Sequence, residues 1–203
     1  LNENGSKIIL DLCGGTGAWS RPYAEAGYDV RNITLPEYDV RTFKPPENVY
    51  GILAAPPCTM FSIARTTAKK PRDLKGGMEI VVACLNIIWN CRYKNRLKFW
   101  ALENPMGILR QFLGVPRFTF DPYEYGNPFT KKTDIWEYFN IPKKKPLNPY
   151  QYDIISAGLK GRKYKTRLFA IPCWGEDITT GNQKIKRAIT PSGFAQAFFR
   201  ANQ

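Results

Sequence analysis

Two prolines run directly into a cysteine in Pro56-Pro57-Cys58-Thr59-Met60-Phe61-Ser62. Proline fixes φ and stiffens the chain that carries the next side chain, so this order suits a displayed nucleophile. The segment that follows, residues 59–72, is rich in Ser, Thr and Lys. An exposed thiol beside basic residues has a lowered pKa and more reactive thiolate. The plainer reading of a lone cysteine is a packing residue. That reading suits Cys84 and Cys91, seven apart on a stretch with helical spacing. A second reactive candidate is Glu103, which ends an apolar run and is followed by Asn104-Pro105. An isolated Glu is normally a surface residue, but one ending an apolar strand and pinned by proline points into a site. The chain contains no histidine, which excludes Ser-His and Cys-His catalysis; any nucleophile must be activated another way. None of the five cysteines forms a CxxC pair, so neither a zinc site nor a disulfide framework is expected. Cys173 has no reading of its own.

A third cluster, Asp11-Leu12-Cys13-Gly14-Gly15-Thr16-Gly17, is glycine-rich. Its glycines permit a tight turn and let backbone approach a ligand closely. A purely structural turn is the alternative. The loop lacks the Lys-[Ser/Thr] ending of a phosphate-binding P-loop, which disfavours a nucleoside triphosphate.

The elements that must position these clusters alternate between strand and helix. Apolar or β-branched runs predict strands at 7–12, 28–35, 49–54 and 99–102, with strand pieces at 135–136 and 168–171. Helical spacing predicts helices at 18–26, stopped by Gly27, at 79–93, and at 192–202, capped by Ser192. Alternation of this kind implies an α/β fold with a mostly parallel central sheet. Each reactive cluster lies just past the carboxyl end of a predicted strand, the edge where open α/β sheets bind ligands. They should therefore meet in space.

The chain has 203 residues, of which 43% are hydrophobic. This suits one domain spanning residues 1–203 with a substantial core. No uninterrupted apolar run is long enough for a membrane span, since Asn86 and Asn90 break the longest. The polar start argues against a signal peptide, and a first residue of Leu rather than Met suggests a start inside a longer or processed polypeptide. A reducing cytosol suits the cysteine pattern. The net charge is +13, from 30 Lys+Arg against 17 Asp+Glu. Such an excess keeps a small protein soluble, and it also favours a polyanionic partner through counterion release. The charge gathers at Lys69-Lys70-Pro71-Arg72, Lys131-Lys132, Lys143-Lys144-Lys145 and residues 160–167.

Taken together, the three clusters resemble the DNA cytosine-5 methyltransferases, in that family's order. Asp11-Leu12-Cys13-Gly14-Gly15-Thr16-Gly17-Ala18 looks like its cofactor loop. Pro56-Pro57-Cys58-Thr59-Met60-Phe61-Ser62 is similar to its Pro-Cys-Gln-x-Phe-Ser element, and Glu103-Asn104-Pro105 to its Glu-Asn-Val element. The resemblance covers residues 7–110 well. Beyond them, residues 125–133 are similar to a Tyr-Gly-x-Pro-Gln-x-Arg-x-Arg element, with Phe129 where Gln is usual, Lys131 at the first Arg and Thr133 at the second. Residues 190–195 match the last cofactor-side element loosely. The variable region that reads DNA is reduced to about 140–167.

The resemblance implies a Rossmann-like fold of the S-adenosylmethionine-dependent methyltransferases, in a compact, phage-type member acting in a bacterial or phage-infected cytoplasm. The cofactor would be S-adenosylmethionine, held by Asp11, Leu12, Cys13, Gly14, Gly15, Thr16, Gly17, Ala18, Trp19 and Pro56. Asp39 would accept a hydrogen bond from the adenine amine, and Glu37 is a displaced candidate for the ribose. Cys58 would attack cytosine carbon 6, with Pro57 presenting it and Asn104 bracing its loop. Glu103, protonated at least transiently, would bind ring N3 and the exocyclic amine. Arg167 could replace the missing second arginine. The cytosine would leave a DNA duplex to reach the pocket. Ser62, Arg65, Lys69, Lys70, Arg72, Lys131, Lys132 and Thr133 would face the DNA, and the loop at 59–77 is long enough to close over the base. Three other readings stand: a degenerate module that binds DNA or cofactor without turnover, an enzyme acting on RNA or a free nucleotide, and a donor group other than methyl. The oligomeric state is left open.

Overall fold

In the computed structural model, residues 3–63, 65, 68–94, 97–127, 131–146 and 189–203 are described. The expectations for the strand at 168–171, for Phe129, Arg167 and Cys173, and for the variable region past residue 146 fall outside them.

Six strands form one sheet: β1 (Ile8–Leu12), β2 (Asp29–Ile33), β3 (Val49–Ala54), β4 (Phe99–Pro105), β5 (Phe118–Phe120) and β6 (Thr133–Tyr138). Their spatial order is β2-β1-β3-β4-β6-β5. The first four run parallel, β6 runs antiparallel to β4, and β5 antiparallel to β6. The fold is thus α/β with a mostly parallel sheet. Strands buried on both faces read as continuous apolar runs, which is why β1, β3 and β4 were legible. Residues alternate between the two faces. Leu10, Leu12, Ile52, Ala54, Trp100 and Leu102 enter one core with helix α2 (Leu74–Lys94). Ile9, Leu53, Phe99 and Ala101 enter the other, an aromatic core shared with α1 (Arg21–Glu25) and the last described helix.

Several boundaries differ from the sequence expectation. Helix α1 starts at Arg21 rather than residue 18, because Pro22 can occupy only the first turn of a helix. Helix α2 starts at Leu74, five residues early, despite Gly76 and Gly77. The Asp73 carboxylate accepts the Gly76 N–H at 2.9 Å and satisfies a first-turn donor that has no partner within the helix. At 21 residues α2 is also long and apolar enough, by length and composition alone, to span a bilayer, although Asn86 and Asn90 interrupt its apolar run. Its Val81, Cys84, Ile87, Ile88 and Cys91 are instead buried against the sheet. Strand β4 runs on through Glu103 and Asn104, because β6 pairs with it as far as Pro105–Thr133. Neither β5 nor the short helix α3 (Arg110–Leu113) was foreseen. The last helix, α4 (Ser192–Ala201), has Pro191 at its cap position and no side-chain cap, so Ser192 does not cap it.

Candidate active site

From β1 the chain crosses to β2 on one side of the sheet and returns to β3 on the other. The carboxyl ends of β1 and β3 therefore flank the point where strand order reverses, the ligand crevice of open α/β sheets. The two exits are tied by the Ala55 N–H donating to Leu12 O at 2.9 Å.

After β1 the chain turns sharply, with φ of 57° at Cys13, 56° at Gly15 and 68° at Gly17. The Cys13 N–H donates to Ile33 O at 2.8 Å and the Gly17 N–H to Gly14 O at 2.9 Å. A side chain at Gly14 is impossible without movement, since its Cβ would lie 2.3 Å from the Asp11 carboxylate carbon. At Gly15 a Cβ would meet nothing within 4 Å, so the outer side of the turn is open to a ligand. Asp11 is fully buried. It accepts the Ser20 hydroxyl at 2.5 Å through Oδ2, while Oδ1 has no partner. Burial pushes its pKa up to about 6. Asn32 on β2, absent from the sequence expectations, donates to Gly15 O at 2.9 Å and leaves its own buried Oδ1 unpaired. Buried acceptors normally find partners. A glycine-lined cradle with two unpaired acceptors fits a ligand carrying hydroxyl or amine donors, as S-adenosylmethionine does.

The remaining cofactor-side residues divide. Thr16 is exposed, and Gly14, Gly17 and Ala18 are half-buried at the turn. Leu12 and Trp19 are buried in the core, Trp19 edge-on to Phe198 at 5.4 Å. Half-buried Cys13 interacts with the Cys84 thiol, whose hydrogen bond draws the Cys13 pKa down. Glu37 is exposed. Asp39 is engaged by Arg41, whose Nε donates to both carboxylate oxygens at 2.9 and 3.0 Å. That pairing holds its pKa at about 2, and an adenine amine would have to share the carboxylate with Arg41.

On the other side of the crevice, β3 leads through buried Pro56 and exposed Pro57 into a single 3-10 turn, Cys58–Met60. Asn104 Nδ2 donates to Pro56 O at 2.9 Å. The Ile108 N–H donates to Phe61 O at 3.0 Å, and Ser62 bridges Gly107. Backbone approach there is so close that a Gly107 Cβ would lie 2.3 Å from Phe61 O. Cys58 is half-buried, as is Glu103.

Lys131 enters this pocket. Its Nζ lies 3.9 Å from Glu103 Oε1, with the two side chains only 19% and 13% exposed. Its backbone is fixed on both sides: the N–H donates to Asp121 Oδ1 at 2.9 Å, and Thr133 Oγ1 donates to Lys131 O at 2.7 Å. Thr133 is buried and holds Lys131. Burial raises the Cys58 pKa, the Lys131 charge opposes that rise, and Glu103 adds to it. Burial likewise raises Glu103, with Lys131 opposing and Asp134 reinforcing. Asp134 is fully buried, held by Arg110 at 2.7 and 2.6 Å. Thiol, carboxyl and ammonium therefore act on one another in a partly dry crevice. A protonated Glu103 can donate a hydrogen bond there, and a Cys58 thiolate would be stabilised by Lys131. The sequence reading set Lys131 facing the DNA and did not foresee its approach to Glu103.

Among the residues expected at DNA, Lys69, Lys70 and Lys132 are exposed. Arg65 and Arg72 instead engage backbone carbonyls. Arg65 donates to the carbonyls of Lys70 and Pro71, Arg72 to those of Met60 and Ser62. No metal-ligand cluster occurs among the described residues.

No family model matches the chain, and no curated protein matches it. Among solved structures, it is similar to a candidate DNA modification methyltransferase encoded within an E. coli prophage, at 15% identity and a TM-score of 0.46. The match covers 64% of this chain and 45% of the other, so the chain spans less than half the length of that protein.

Proposed function

We propose that this chain is an S-adenosylmethionine-dependent methyltransferase acting on carbon 5 of cytosine in DNA, with Cys58 as nucleophile. The observation that carries this reading is the meeting of Cys58, Glu103 and Lys131 in one crevice, across the strand-order reversal from the glycine turn. Cytosine carbon 5 is a poor nucleophile. Addition of the Cys58 thiolate to carbon 6 forms a C–S bond and moves electron density to carbon 5, which can then attack an electrophile. Glu103, whose protonated form burial favours, would in that form donate to ring N3 and neutralise the charge that the addition delivers to the ring. Lys131 favours the thiolate before addition. After transfer, loss of the carbon-5 proton to a base returns the electron pair to the ring and expels Cys58. The cofactor, when bound, supplies the methyl group. Gly14, Gly15 and Gly17 would let it lie against backbone, with Asp11 and Asn32 offering their unpaired acceptors. The target base must be extruded from the duplex, and the net charge of +13 favours the phosphate backbone.

Mechanism-based trapping tests this. The protein is mixed with S-adenosylmethionine and duplex DNA carrying 5-fluorocytosine. The expected result is a denaturant-stable adduct that disappears in Cys58→Ala. Cofactor binding without any adduct would favour a binding module or a substrate other than duplex DNA.

A further inference from the structure

We infer that Arg72 is a positioning residue for Cys58, holding the turn that displays the thiol by bridging two of its carbonyl oxygens. The functional meaning of that role rests on the nucleophile reading above.

Arg72 lies fourteen positions after Cys58 on a basic stretch, where a phosphate contact is the ordinary expectation. Its guanidinium is directed elsewhere. Nη1 donates to Met60 O at 2.7 Å and Nη2 to Ser62 O at 3.0 Å. These two carbonyls flank buried Phe61, just past the thiol. A planar fork with donors on separate nitrogens can bridge two acceptors at once, whereas an ammonium on a flexible stem cannot fix both in the same way. The rest of the turn is held from other directions: Asn104 on Pro56 O, and Ile108 on Phe61 O. Arg72 supplies a further tie and connects the turn to α2, since Asp73 directly after it caps the helix start. Packing agrees, because a Cβ at Gly77 would lie 3.0 Å from Met60 Cβ. Arg65 gathers the same segment by donating to the carbonyls of Lys70 and Pro71. Both loop arginines thus satisfy backbone acceptors.

The test uses Arg72→Met and Arg72→Lys in the full chain, with three readouts. The first is the pH profile of Cys58 alkylation by iodoacetamide, followed by peptide mass mapping. It needs no substrate and so stands apart from the methyltransferase reading. Loosening the turn relieves burial of the thiol, so alkylation of Cys58 should speed up in both variants and its midpoint should move to lower pH. The second is turnover on DNA: kcat should fall about tenfold in both variants, as expected for loss of charge-assisted hydrogen bonds, with KM for DNA little changed. The third is the salt dependence of DNA binding, whose slope should stay that of wild type, whereas a lost phosphate contact would reduce it by about one. Arg72→Lys covers the case in which Arg72→Met does not fold, because it keeps the charge and most of the stem. An Arg72→Lys protein with wild-type alkylation and kcat, or a reduced salt slope, would overturn the proposal. Failure of wild type to methylate DNA, with the alkylation shift intact, would count against the methyltransferase reading and leave Arg72 in its positioning role.

Discussion

The two walls of the crevice are built on different principles. The Cys58 wall is tied to its surroundings at four carbonyls: Pro56, Phe61, Met60 and Ser62 each accept a hydrogen bond from a neighbouring segment. The glycine wall is held by its own tight turns and by β2, through Cys13 on Ile33 O and Asn32 on Gly15 O, and it keeps unpaired acceptors on Asp11 and Asn32. A nucleophile must be held within a narrow geometry to react, so rigidity there serves chemistry. A ligand cradle must leave polar groups unmet until the ligand arrives, and it gives up stability in the free protein to do so. On the proposed function, the Cys58 wall would carry the chemistry and the glycine wall the binding.

The largest effect that would break this division is at Glu103. Glu103→Gln should lower kcat by about 10²-fold or more, as for loss of a general acid, while DNA and cofactor affinities stay near wild type. Equal kcat would remove Glu103 from the chemistry. Because Glu103 must be protonated and its pKa is raised by burial, turnover should fall as pH rises through that pKa. The Gln variant should lose that limb of the profile.

Next is Gly14→Ala on the binding wall. A Cβ 2.3 Å from the Asp11 carboxylate carbon forces movement. Calorimetric titration should show cofactor affinity down about tenfold or more, with DNA affinity little changed. Retained cofactor affinity would place the ligand elsewhere.

Asp11 sharpens the stability cost. Its folded pKa is raised from 3.8 to about 6. The folded protein therefore holds the proton more tightly than the unfolded chain. The stability this contributes is fully present below pH 3.8 and is lost as pH rises through about 6. Asp11→Asn keeps an uncharged side chain at every pH. Its unfolding free energy relative to wild type should rise between pH 4 and 7 by up to about 3 kcal/mol. A pH-independent difference between the two would show that Asp11 does not titrate in this window.

Asn104→Ala tests the opposite wall. It leaves Pro56 O buried without its donor, which should cost about 1–3 kcal/mol, or several degrees in Tm, together with a loss of kcat. The smallest effect belongs outside the crevice. Lys132→Ala, at an exposed position, should weaken DNA binding modestly and reduce the salt slope by about one, with kcat unchanged.

The amino-acid sequence by itself determined much of this protein. Strands buried on both faces must be continuously apolar, so β1, β3 and β4 could be read directly. Glycines in a left-handed turn and prolines before a cysteine are local requirements, so Gly15, Gly17 and Cys58 could be singled out one by one. Parallel strands alternating with helices required that their carboxyl ends share an edge. Features that depend on contacts between distant segments could not be read in this way. Whether β4 stops at residue 102 or carries Glu103 and Asn104 depends on β6 pairing beside it. Asn32 looks like any strand asparagine until Gly15 lies against it. Lys131 and Arg72 are indistinguishable in a basic sequence from Lys132 and Lys69. Only tertiary structure turned the first toward Glu103 and the second onto the Cys58 turn. A long cationic side chain has little local preference for one direction, and it goes where the folded chain presents an acceptor.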